Sequence, residues 1–86
     1  MDEVQLLTRK DCLRALYNSF MQKLIQAEAN VDFYKYKKEN LRNGEDKKTI
    51  EISLVTSERN VMDNTTMLAV FDKKLKELDA EKANDN

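Results

Sequence analysis

The chain has 86 residues, enough for one small domain. It contains one cysteine and no histidine, which excludes an internal disulfide and a Cys/His zinc site. The formal net charge of −1 argues against non-specific electrostatic binding of nucleic acid by the chain as a whole. A chain this short buries only a modest core, which is often stabilised further by disulfides, metals or oligomerisation. Because disulfides and metals are excluded, we expect oligomerisation or a protein partner.

The first predicted element is a helix from about residue 9 to about residue 42. Thr8 and Asp11 form a T-x-x-D pattern, a variant of the capping box, which places the start near Arg9. Apolar side chains then recur every seven residues with an interleaved set four residues later, the spacing of one helix face. This first ladder contains Leu6, Leu13, Tyr17, Phe20, Leu24, Ala27, Val31, Tyr34 and Leu41.

A turn at residues 43–45 follows, because Gly44 is the only glycine and adopts left-handed backbone without steric cost. The second helix is predicted from about 46 to about 80, with a frayed tail at 81–86. Its ladder contains Ile50, Leu54, Val61, Leu68, Phe71, Leu75 and Leu78. Residues 49–55 also alternate like a β-strand, so both helix and strand stay open for this stretch.

Two ladders flanking one glycine predict an all-α fold: an antiparallel, coiled-coil-like two-helix hairpin, which we expect to dimerise into a four-helix bundle. One flank of the first ladder is mostly basic, with Arg14 and Lys35, whereas the matching flank of the second has no base. We expect these flanks to face each other and select the pairing. Asn64 falls on the second ladder, either as a buried register-setting amide or as a hydrated residue at the rim.

Each helix also carries a second apolar stripe that a lone hairpin would leave in water. We call these residues the outer set and expect them to form a partner interface or a self-interface. The alternatives are one broad apolar face, or shorter helices that bury both stripes. The outer set is Ile25, Ala29, Phe33, Tyr36, Ile52, Val55, Met62 and Ala69.

Residues 33–48, the tip segment, interleave aromatic and basic side chains. Such a mixture can stack on bases and contact phosphates, or dock on an acidic protein. Alternatively, Tyr34 belongs to the core stripe and the lysines complement a helix C-terminus. The candidate contact residues are Lys35, Tyr36, Lys37, Lys38, Arg42, Lys47 and Lys48.

No residue pattern indicates catalysis, a cofactor site or a metal site. Cys12 has no histidine to activate it, and we expect a packed thiol. The sequence therefore predicts a cytoplasmic, non-enzymatic interaction protein, such as an adaptor, an inhibitor, an assembly chaperone or a structural subunit. Its partner would be a second copy or another helical protein. The alternative is a nucleic-acid-associated protein that uses the tip segment. We expect no signal peptide and no membrane segment.

Overall fold

The computed structural model describes residues 1–81 as two antiparallel α-helices, α1 (Glu3–Glu39) and α2 (Lys47–Ala80). The chain forms a rod of 71 × 14 × 13 Å. No strand occurs in the described part of the chain, and residues 49–55 lie inside α2. The predicted all-α hairpin is therefore confirmed, and so is the helical interpretation of residues 49–55.

The start of α1 was predicted six residues too late. Asp2 is the N-cap: its carboxylate accepts a hydrogen bond from the Gln5 amide at 2.8 Å, and the Gln5 side chain accepts one from the Asp2 amide at 3.4 Å. This capping box satisfies two amides that would otherwise lack partners, so the helix can begin at Glu3. Thr8, the predicted cap, lies within the helix, and the Cys12 thiol is exposed rather than packed.

The link between the helices spans residues 40–46, wider than the predicted turn at 43–45. The α1 helix ends at Glu39, because Asn40 leaves the helical conformation at φ −125°, ψ 56°. The backbone and side-chain amides of Asn40 both donate to the Tyr36 carbonyl, each at 3.0 Å. A tight turn follows, in which the Glu45 amide donates to the Arg42 carbonyl at 3.1 Å. Gly44 has φ +84°, a value that L side chains rarely adopt, so glycine suits the third position of this turn.

The bounds of α2 agree with the predicted ones. Asp46 caps its start by accepting hydrogen bonds from the Lys48 amide at 3.0 Å and the Thr49 hydroxyl at 2.9 Å. The helix ends at Ala80, where the Glu81 amide donates to the Leu78 carbonyl. The rest of the predicted frayed tail lies outside the described residues.

The two ladders meet along one seam between the helices. Every buried apolar residue in the described part of the chain belongs to one of them: Leu6, Ala27, Ile50, Leu54, Leu68 and Phe71. Phe20 and Phe71 pack edge to face across the seam, with ring centroids 5.3 Å apart. The seam therefore positions all the outward-facing side chains.

Ion pairs join the helices at both ends of the seam; their acids belong to the flank of the second ladder that was predicted to pair, but their cations do not belong to the predicted basic flank. Lys10 binds Asp79 at 3.0 Å and Lys38 approaches Glu51 at 3.8 Å. The predicted cation Arg14 instead binds Asp11 in its own helix. Lys10 and Lys38 make these ion pairs because both occupy the same heptad position as Tyr17, Leu24 and Val31. This position lies closer to the facing helix than the position of Arg14 does.

Candidate functional site

The outer set is exposed, as predicted. Its six large apolar side chains keep between 53% and 70% of their surface accessible. Its two alanines are exposed as well. The side chains project from long helices that the seam holds in place, so they are presented in a fixed arrangement.

The outer set does not form a single face, because the hairpin has two broad sides separated by the seam. An open groove on one side is lined by Glu28, Val31, Asp32, Glu58, Val61 and Met62, and we call it the acidic groove. A groove on the other side is lined by Lys23, Gln26, Ala27, Asn30, Asn60 and Asn64, and we call it the amide groove.

Heptad spacing assigns the remaining members of the outer set to these sides. Ile25 precedes Asp32 by seven residues, so it lies on the acidic-groove side. Val55 and Ala69 stand seven residues on either side of Met62 and share its side. Phe33 follows Gln26 by seven and falls on the amide-groove side. The other three members, Ala29, Tyr36 and Ile52, occupy the positions farthest from the seam.

The acidic groove combines exposed apolar surface with carboxylates that have no cationic partner. Within residues 1–81, none of the side chains of Glu28, Asp32 and Glu58 takes part in an ion pair. They flank the half-buried Val31 and Val61 and the exposed Met62. This arrangement suits a partner that brings both apolar and basic groups.

The acidic groove was not predicted from the sequence, and neither Glu28 nor Asp32 is among the candidate site residues. The signal was present, because Glu28 and Glu58 occupy facing flanks at matching heptad positions.

The amide groove is polar throughout its middle. Gln26 donates from Nε2 to the Asn30 side-chain oxygen at 3.1 Å, and Asn60 is exposed nearby. Asn64 is half-buried at the edge of this groove, which fits the hydrated-rim alternative.

The tip segment gathers its aromatic and basic residues at one end of the rod, but two lysines are engaged by carboxylates. Lys37 binds Glu45 at 2.6 Å, and this hydrogen bond lowers the pKa of the Glu45 carboxyl below its ordinary value. Lys38 approaches Glu51. Tyr34 is half-buried in the seam and packs edge to face against Phe33, with centroids 5.2 Å apart.

Five of the seven tip candidates remain exposed without an ion pair in the described part of the chain. They are Lys35, Tyr36, Arg42, Lys47 and Lys48.

No known protein family, curated protein or solved structure matches this chain significantly. Neither of the two described helices has a stretch sufficiently long and apolar to cross a membrane. The described residues hold no group of three or more Cys, Asp or Glu side chains placed to bind a metal ion.

Proposed function

We propose that this protein is a small non-enzymatic interaction module that packs its acidic-groove side against helices of a partner, either a second copy or another protein. The observation that carries the proposal is the exposure of Ile25, Val55 and Met62, each more than half accessible, on one side of a firmly paired hairpin. Val55 and Met62 line one shallow pocket, and exposed apolar surface of this kind commonly marks an interface.

The mechanism is helix-to-helix packing. The seam fixes the spacing of the two helices, and a partner helix would lie over the exposed apolar residues. The unpaired carboxylates of the acidic groove would select a partner with basic groups and oppose acidic ones. Adaptors, inhibitors, assembly chaperones and structural subunits can all act in this way.

The working form that we propose is a homodimeric four-helix bundle in the cytoplasm. Four helices can surround a core that two helices cannot enclose. The single cysteine, with its exposed thiol, suits a reducing compartment.

The proposal is tested by comparing the proteins captured from extracts of the native host by three tagged forms. They are the natural protein, an Ile25→Lys, Met62→Lys variant, and a Gln26→Lys, Asn60→Lys control that adds the same two charges on the amide-groove side. We expect the first variant to lose a specific helical partner that the control retains. Identical capture by all three forms would contradict the proposal.

A further inference from the structure

We propose that the acidic-groove side is the interface with a second copy of this chain. The two rods would pack antiparallel about a two-fold axis at the level of Met21 and Leu68. Arg14 and Lys76 of each copy would then face Glu28 and Glu58 of the other. This inference rests on the proposed function and names its partner.

The hairpin exposes more surface than a compact monomer does. The chain exposes 6636 Å². A compact folded monomer of this mass exposes about 5,300 Å² by the usual scaling. The elongated rod accounts for the difference and leaves ample surface for a dimer interface, which commonly buries about 1,600 Å² in total.

The acidic-groove side suits this contact better than the amide-groove side. Aliphatic side chains occupy its middle, where Ile25, Val55 and Met62 are exposed. The corresponding stretch of the other side carries Gln26, Asn30 and Asn60, whose amides water can satisfy. Desolvating the unpaired carboxylates of the acidic groove is costly, so this contact requires cations of the second copy opposite them.

The register of the hairpin defines the axis. The contacts Lys10–Asp79, Phe20–Phe71 and Lys38–Glu51 place Met21 near the level of Leu68.

Opposite charges lie at comparable distances on the two sides of this level. Arg14 stands seven residues before Met21, and Glu28 stands seven after it. On α2, Lys76 follows Leu68 by eight residues and Glu58 precedes it by ten. A two-fold rotation at this level therefore brings Arg14 of one copy to the level of Glu28 of the other, and Lys76 close to the level of Glu58. It also brings Asp11 near Asp32 and Asp79 near Glu58, but Asp11 and Asp79 already hold cations of their own chain.

The side chains of Arg14 and Lys76 are exposed enough to contact an acid of a second copy as well. The side chains of Arg14 and Lys76 are 55% and 75% exposed. Each holds only a carboxylate of its own helix, Asp11 at 3.4 Å and Asp72 at 2.9 Å. Both also share the acidic-groove side, because they lie two heptads from Glu28 and Met62 respectively.

The test is a charge exchange followed by sedimentation equilibrium. We expect the natural protein to be a dimer at micromolar concentration. Arg14→Glu and Glu28→Arg should each weaken dimerisation by about tenfold or more, because each change creates two like-charge contacts across the two-fold. The double variant should restore dimerisation. Loss of the Arg14–Asp11 pair does not explain this pattern, because the double variant lacks that pair too.

The matched control is Arg9→Glu, the same charge reversal on the amide-groove side, since Arg9 precedes Lys23 by two heptads. We expect it to leave dimerisation unchanged. Circular dichroism of all forms should show the same helix content.

Each contrary outcome is decisive. A natural protein that stays monomeric overturns the second-copy inference, and the proposed function survives if capture still depends on Ile25 and Met62. If the double variant fails to restore dimerisation, or if only Arg9→Glu weakens it, the proposed interface and two-fold axis are wrong.

Discussion

At the scale of single residues, the large buried side chains of α2 lie on either side of the centre of the seam. Phe71 and Leu68 are buried on one side of this centre, and Ile50 and Leu54 on the other. Between them lie Ala27 and the buried Ser57. The stability of the hairpin should therefore depend on a few large side chains.

Leu68→Ala should be much more destabilising than Met62→Ala. Leu68 is 8% exposed, and large-to-small changes at such positions cost about 2–5 kcal/mol. Met62 is 70% exposed, so its truncation should change the free energy of unfolding by less than about 0.5 kcal/mol. Urea unfolding in the Arg14→Glu background measures the hairpin apart from dimerisation. Equal losses would show that the division into seam and outer set is wrong.

Ser57→Ala should be neutral or slightly stabilising although Ser57 is buried. The hydroxyl donates only to the Ser53 carbonyl of its own helix, at 2.8 Å. Removing it leaves no buried polar group without a partner, and alanine favours helix by a few tenths of a kcal/mol. Thermal unfolding of the two forms checks this. A loss above about 1 kcal/mol would mean that the hydroxyl has a role beyond this bond.

At the scale of elements, the caps decide where the helices begin, and the heptads decide how they pair. The ladders contain every buried apolar residue of the described chain, because periodicity identifies the helix face that is buried. The ladder member Leu41 is 41% exposed, because α1 ends before it. The start of α1 was missed because two capping patterns compete in the sequence, and Asp2-x-x-Gln5 comes first. The cations of the ion pairs were not predicted because Lys10 and Lys38 occupy heptad positions of the first ladder that are otherwise apolar. Both lie near the ends of the seam, where their long side chains can still reach water.

Asp2→Ala should fray the first turns of α1. The Asp2 carboxylate satisfies the Gln5 amide, and losing such a cap costs about 0.5–2 kcal/mol. Because the change is local, amide exchange should accelerate over residues 3–8 while the middle of α1 stays protected. Thr8→Ala is the control and should leave exchange unchanged. Faster exchange in that control would restore Thr8 as the effective cap.

The Lys37–Glu45 pair makes the link between the helices sensitive to acid. The hydrogen bond and charge of Lys37 lower the pKa of Glu45 below its ordinary value of 4.5. A lowered carboxyl pKa stabilises the folded link above the ordinary value, and this contribution is lost as the pH falls through the folded-state pKa. Protonation therefore loosens the link only in acid well below neutral pH.

A carboxyl-carbon NMR titration measures this directly. The Glu45 midpoint should lie below 4.5, and Lys37→Gln should raise it towards that value. Lys38→Gln is the matched control and should leave the pKa of Glu45 unchanged, since Lys38 approaches Glu51 and not Glu45. If both variants raise the pKa of Glu45 equally, the lowered pKa comes from the general positive charge of the tip segment and not from the Lys37–Glu45 pair.

At the scale of the whole molecule, the rod carries little net charge but separates its charges along its length. Carboxylates collect in the acidic groove near the middle, whereas Lys35, Arg42, Lys47 and Lys48 remain unpaired in the described tip segment. Long-range attraction to a polyanion depends on the summed field, and the carboxylates oppose the tip.

We therefore expect no detectable complex between the natural protein, at micromolar concentration and physiological salt, and either single-stranded or duplex nucleic acid. The four unpaired tip cations are too few to offset the repulsion from the acidic groove and the rest of the chain. Fluorescence anisotropy over a salt series measures this. If a complex did form, Lys35→Gln, Lys47→Gln and Lys48→Gln together should reduce the slope of log affinity against log salt by about 0.7–0.9 per lost phosphate contact. A steep slope that this triple variant flattens would make nucleic-acid binding at the tip the better account of the protein.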